Sequence, residues 1–373
     1  MTLISICTIL SFLLFLKASN DQKIIECPVY GFSQKWKFKV DKRIVMLFAM
    51  VLILISTMRY GWIDTYAYKE MYILSRGNLE YVNSAPYGVE AGWLYLCYVL
   101  NFISASPKLL LFLSAIIIIG AYVTIIQKYS CDPIFSLIIF YCLLYMDTNN
   151  GLRQMVASSL IIMAYPLLME RKVSKYIEFA IVVLLAMQLH TSAMVCYLVA
   201  IVVVGKPLNK KIKIALFFGF LFCLMPGVTN KVLGEIFKDS KYTNYLGMSG
   251  GMTFFRAFVT GILPAILALL YLNRCKIKNI LIGYKEGILI NTLFVNTMFI
   301  IMGSYMQYWN RMGFYTAFAP IVLMPKLTYD MFVKDQRRLI KVLAIICYFL
   351  FFAYNIYVNV KYGAIKDFYF SWN

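Results

Sequence analysis

Arg59-Tyr60-Gly61-Trp62-Ile63-Asp64-Thr65-Tyr66-Ala67-Tyr68 closes an apolar run that opens at Val40. That run, Val40 to Met58, carries its only charges at the start and is apolar from Ile44 onward. An uninterrupted apolar segment of that length reads as a membrane helix. The arginine and aspartate behind it then sit where hydrocarbon gives way to headgroups. Charge in that position is costly unless it is paired or faces a wet cavity.

Composition carries the same reading to the whole chain. Apolar residues make up 62% of the 373 and charged residues 14%, with a mean hydropathy of +0.74. A soluble domain is about half apolar and about a quarter charged. Apolar segments recur throughout with no long polar block, so residues 1–373 read as a single all-α, polytopic integral membrane domain. Helices satisfy their own backbone in lipid, and runs of this length suit them better than barrel strands. Met1 to Leu16 has no basic region before it and no small-residue cleavage site after it. It reads as a first span and not as a signal peptide.

The formal charge of +19 does not indicate nucleic acid, because the basic residues gather in short loops between spans. By that asymmetry the loop 17–43 is cytoplasmic, as are Glu170 to Lys175, Lys206 to Lys213, Arg274 to Lys278 and Lys334 to Lys341. The segments 59–92 and 227–251 then become the long external loops. Between Gly92 and Glu170 lie four apolar candidates, of which an odd number must cross for both flanks to be placed correctly. Trp93 to Ser104 is too short for a straight crossing and reads as a partial or re-entrant pass. Asp147 to Gln154 is then external, and the span count is about 12. The halves Ile177 to Leu189 and Ala193 to Val204 are also short, with His190 at their junction. The nine cysteines form no C-x-x-C pair and read as small core residues.

This map points Arg59, Asp64, Glu90, Arg153, His190 and Arg311 to one external face. A guanidinium fork suits a diphosphate, and a carboxylate or imidazole suits removal of a proton from a hydroxyl. Plainer readings stand beside these. Arg59 and Arg311 would serve equally as interfacial anchors. Asp64 has Arg59 within reach as a salt-bridge partner, and Glu90 precedes a helix whose first turn it can cap. Arg153 fits ordinary loop polarity. His190, the chain's one histidine, fits a hydrogen-bonded core position. The aromatic residues near span ends fit an interfacial belt.

The order of the signals is more specific than any one of them. R-x-G-x-x-D-x-x-x-Y spans Arg59 to Tyr68, and E-x-G followed by an aromatic spans Glu90 to Trp93. Arg153-Gln154 follows a small polar turn, and His190-x-Ser192 lies between two short apolar runs. This order resembles the Wzy/EpsG family, whose members polymerise oligosaccharide repeat units on a polyprenyl diphosphate carrier in bacteria. Arg311 fits a later arginine of the family, and Tyr242 fits its loop with spaced tyrosines.

The resemblance implies a GT-C-like glycosyltransferase in the bacterial inner (plasma) membrane, with its active site facing the periplasm or outside. It implies Asp64, His190 and Glu90 as candidate bases, Asp64 first. It further implies Arg59, Arg153 and Arg311 for the diphosphate, with Gln154, Tyr68 and Tyr242 in support. The substrate would be an undecaprenyl-diphosphate-linked oligosaccharide in the lipid bilayer, and a chain-length regulator and a flippase are implied as partners. No D-x-D or paired-acid metal motif stands out in the external loops. The sequence requires no metal and no other cofactor, while leaving Mg²⁺ open. A flippase or transporter and a membrane O-acyltransferase are the alternative functions, although the chain shows no clear internal repeat of the transporter kind.

Overall fold

The computed structural model describes residues 24–26, 32–33, 36–59, 64–225, 253–305, 307–332 and 336–361, together with positions 227, 231 and 235. Gly61, Tyr242 and the run before residue 24 lie outside the described residues, as does most of 227–251.

The described residues are helical apart from one short ribbon and the turns between elements. Strands β1 (Ile24–Glu26) and β2 (Trp36–Phe38) pair antiparallel inside the loop read from sequence as simply basic. Helices α1 (Lys42–Thr57), α2 (Thr65–Leu74), α3 (Leu79–Ser84), α4 (Ala91–Asn101) and α5 (Lys108–Tyr129) follow. Next come α6 (Pro133–Leu143), α7 (Tyr145–Thr148), α8 (Leu152–Leu168), α9 (Val173–Leu189), α10 (Val195–Val203) and α11 (Lys210–Leu224). The last set is α12 (Phe254–Ile277, with one π turn), α13 (Tyr284–Tyr305), α14 (Gln307–Met312), α15 (Phe318–Met331) and α16 (Arg337–Lys361).

Four of these, within α5, α12, α13 and α16, are long and apolar enough to cross a membrane unaided. The others are shorter than these four. Helix α4 has 11 residues, or about 16 Å of rise, too little for a crossing. Helix α9 starts at Val173 and is a longer half than the apolar run beginning at Ile177.

Helix α13 is the hub, with 83% of its apolar window buried. Its buried polar residues are all partnered. Asn291 donates to Val203 O and Lys206 O at 3.0 Å each, and Thr292 bonds Tyr165 at 3.1 Å. Asn296 donates to Gly313 O at 2.9 Å, and Thr297 to Gly261 O at 3.0 Å. In a hydrocarbon setting such bonds hold helices together where apolar packing alone discriminates little. These four residues pin α13 to four different segments.

The basic loops gather at one end. Phe38 N donates to Cys131 O at 2.9 Å, and Arg171 stacks on Tyr284 at 3.4 Å. Asp132, fully buried, accepts from Tyr329 and pairs with Lys341, each at 2.6 Å, which ties α16 to the start of α6.

Gly92 sets the opposite end. A Cβ there would stand 2.5 Å from Gln188 O and 2.7 Å from Gln188 Cβ. Only glycine lets α4 approach α9 this closely, and that approach carries Glu90, two residues earlier, to the end of α9. Gly92→Ala gains some helix propensity, but it clashes with backbone that cannot rotate away. Overpacking of this kind costs about 1–3 kcal/mol. We expect the variant to melt lower in detergent than wild type, with impaired activity; an unchanged melting temperature would refute the close packing.

Candidate functional site

Glu90 is the centre of a polar cluster at the end of the molecule opposite the ribbon. It occupies the N-cap position of α4, but its carboxylate makes no cap bond to its own helix. The side chain instead turns to the break after α9. There His190 is extended, and residues Thr191–Met194 form a single tight turn. Glu90 Oε1 accepts from Thr191 N at 2.9 Å and Thr191 Oγ1 at 3.0 Å, and lies 3.2 Å from His190 Nδ1. Glu90 Oε2 is ion-paired with an Arg153 guanidinium nitrogen. Both carboxylate oxygens are engaged, so Glu90 has little capacity left to take a proton from a substrate.

Arg153 stands in the first turn of α8, held by that ion pair. Its side chain keeps 20% of its exposure, while its Nε is buried without a partner among the described residues. Tyr68 lies against it. Burial, and then the charge of Asp64, raise the Tyr68 hydroxyl above its ordinary range, and Arg153 opposes that rise. The phenol therefore stays neutral at physiological pH.

Asp64 sits half-buried before α2 and reaches across to the start of α8. Its Oδ2 accepts from Gly151 N at 3.1 Å, and no partner engages its Oδ1 among the described residues. Gly151 has a φ of +64°, a conformation that glycine adopts without strain. The carboxylate thus meets the amino-terminal pole of α8, where the helix dipole favours negative charge.

Arg59 is only 2% exposed. It donates to Ser56 O at 2.6 Å, to Asn149 Oδ1 at 3.2 Å and to Thr65 Oγ1 at 3.2 Å. Asp64, the partner that sequence spacing left open, is not among them. Burial lowers its guanidinium pKa to about 10, so it remains charged at neutral pH. Asn149 is itself 2% exposed, so Arg59 and Asn149 form a buried clasp between the end of α1 and the turn before α8.

Gln154 joins the cluster to the later part of the chain. Its Nε2 donates to Arg311 O at 2.8 Å and lies 3.4 Å from Ser192 Oγ, which in turn bonds the Tyr315 hydroxyl at 2.9 Å. The backbone of Arg311 is fixed by this contact, and its side chain is half-buried. Arg59, Asp64, Tyr68, Glu90, Arg153, Gln154, His190 and Arg311 thus belong to one connected neighbourhood. Tyr242 lies outside the described residues.

Sequence reasoning passed over several members. Thr191, Asn149 and Tyr315 are uncharged, and their partners lie far along the chain. A second ion pair, Asp147 with Arg256, was also passed over. It lines a cavity of about 50 Å³ with Asn296 and Asn310. This cavity does not include Glu90, Arg153 or His190, and it adjoins them through the segment Asp147 to Asn149. An acid closing one apolar run and a base opening another was the available signal. Among the described residues no three His, Cys, Asp or Glu side chains lie close enough to share a metal ion.

Comparison with known proteins gives one finding. The model of the EpsG family matches residues 42–369, from the start of α1 almost to the chain end. No curated protein and no solved structure matches the chain.

Proposed function

Because the chain belongs to the EpsG family, a family of the exopolysaccharide polymerase type, we propose that it joins polyprenyl-diphosphate-linked oligosaccharide repeat units into an O-antigen or related surface polysaccharide. In this reading a hydroxyl at the non-reducing end of the incoming unit attacks the anomeric carbon of the growing glycan. The bond from that carbon to the diphosphate breaks, the hydroxyl proton passes to a base, and undecaprenyl diphosphate leaves. The observation that carries the reading is Arg153: a guanidinium held by Glu90 beside the break at His190, with donors to spare. Preorganised positive charge acts where negative charge develops, here on the leaving diphosphate.

Within this proposal Asp64 is the base, since it keeps an oxygen to accept a proton while both of Glu90's are taken. Glu90 is a positioning residue that fixes Arg153 and the turn after His190. Arg311 supplies a second cation to the diphosphate. Arg59, buried and hydrogen-bonded on several sides, acts as a structural clasp and not as a phosphate ligand.

About 12 spans fit the fold, with the site at the external face of the inner membrane. The first is the run before Lys17, read from sequence alone. A pass each for α1, α5, α6 with α7, α8, α9, α10 with the turn Thr191–Met194 before it, α11, α12, α13, α15 and α16 completes the set. Helix α4 remains on the outer side. Labelling tests the orientation, with Cys347 the one exposed thiol among the seven described. An impermeant maleimide is expected to react with Glu80→Cys in whole cells and with Lys278→Cys only after permeabilisation; the reverse pattern would invert the map.

The functional test is the length of surface polysaccharide from a deletion strain. A polymerase deletion leaves single-unit glycan. A flippase deletion leaves almost none outside, and an acyltransferase deletion leaves length unchanged. Single-unit glycan, restored to a ladder by the intact gene, is the expected result.

A further inference from the structure

The other end of the molecule holds a second cavity, of about 300 Å³. Its walls come from three loops read as cytoplasmic: the ribbon segment, the end of α12, and the segment from α15 into α16. Arg274, Lys278, Lys326 and Arg337 line it, with Asp330 as the one acid among the described lining residues. Lys326 is already committed, to Glu286 at 3.1 Å and to Asp330 at 3.2 Å. Arg337 donates to Tyr329 O at 3.1 Å and its guanidinium lies 5.5 Å from the centre of the Trp36 ring. Arg274, Lys278 and Arg337 have no carboxylate partner among the described residues. Among the described residues, three cations without a carboxylate partner therefore line a space whose one acid, Asp330, is already paired with Lys326.

The tendency of basic residues to stay on the cytoplasmic side accounts for their presence in these loops. It does not account for their convergence on one cavity with a buried, fully partnered floor. Like charges held this close repel one another, and an anion between them removes the repulsion.

The neighbouring surface indicates where such an anion comes from. Ile277, Ile280 and Leu281 are 72%, 45% and 90% exposed directly beside Arg274 and Lys278. An apolar ridge next to a cationic hollow matches an amphiphile, with its head in the hollow and its chains along the ridge. The site is remote from the Arg153 cluster. Glu286 and Tyr305 stand at opposite ends of α13, about 28 Å apart by helical rise, close to the thickness of the hydrocarbon layer at about 30 Å.

We infer that this cavity binds a phosphate group, carried by an anionic phospholipid of the cytoplasmic leaflet. The inference does not depend on the polymerase reading, because binding is measured without glycan. The full chain is reconstituted in nanodiscs of phosphatidylcholine, with or without phosphatidylglycerol, and its melting temperature is recorded. Wild type is expected to gain about 5 °C from phosphatidylglycerol, and Arg274→Gln with Lys278→Gln to lose that gain. Lys278→Glu, at an exposed position, repeats the test should the double variant fail to fold.

A parallel arm adds inorganic phosphate to phosphatidylcholine discs. A gain there that the variants abolish assigns the same site to a soluble phosphate. No gain in wild type from either source, or an equal gain in wild type and variants, would overturn the inference.

Discussion

Asp64→Asn is expected to abolish long-chain polysaccharide while leaving the protein at its normal level in the membrane. Asparagine keeps one property of the side chain and loses another. Asp64 Oδ2 accepts a bond from Gly151 N at the start of α8, and the amide oxygen of asparagine accepts the same bond. Local structure is therefore retained, less a charge interaction with the helix dipole of about 0.3–1 kcal/mol. The capacity to take a proton is gone. Loss of a general base typically reduces rate by about 10²–10⁴-fold, which takes a ladder below detection on a gel. A normal ladder from Asp64→Asn would make Asp64 a helix cap only and transfer the base role to His190.

Arg153→Lys is expected to have a comparable effect for a different reason. Arg153→Ala would be hard to interpret, because it strands Glu90, whose side chain is 6% exposed. Removing one partner of a buried pair costs about 3–5 kcal/mol, so a lost ladder would not separate unfolding from lost chemistry. Lysine keeps the positive charge and retains a donor for Glu90. It cannot reproduce the planar fork that grips two oxygens at once. If the fork holds the leaving diphosphate, activity falls about 10²–10³-fold, as when one preorganised donor is removed elsewhere. The melting temperature in detergent should stay close to wild type. Retained activity with lysine would show that Arg153 contributes charge alone, through Glu90. Glu90 and Arg153 touch, so their substitutions will not add, and a double-mutant cycle is expected to show strong coupling.

The candidate site was legible in the sequence to the extent that charge is conspicuous in apolar surroundings. Arg59, Asp64, Glu90, Arg153 and His190 each interrupt or end an apolar run, and contacts bring them to one place. Their pairings were not legible. Spacing offered Arg59 to Asp64, and the structure gives Arg59 to Asn149 and Asp64 to Gly151. Helix position offered Glu90 as a cap for α4, and the carboxylate instead holds Thr191, 101 residues away. Such partners are set by helix packing, which a single sequence does not display.

The E-x-G spacing shows how local and distant effects combine. Its glycine is a packing requirement against Gln188, and only through that packing does its glutamate reach the turn after His190. The ribbon was missed because its strands are three residues long and lie in a loop already explained by its charge. The pair Asp147–Arg256 was missed because each residue alone looks like ordinary polarity at a span end.

Reconstitution decides whether this chain polymerises lipid-linked units. The purified chain in proteoliposomes is supplied with one polyprenyl-diphosphate-linked repeat unit, and the lipid-linked products are separated by length. Glycans of two or more units are expected, with one polyprenyl diphosphate released for each new glycosidic bond. Recovery of the substrate as single units only, whether unmoved, acylated or carried across the bilayer, would contradict polymerisation by this chain.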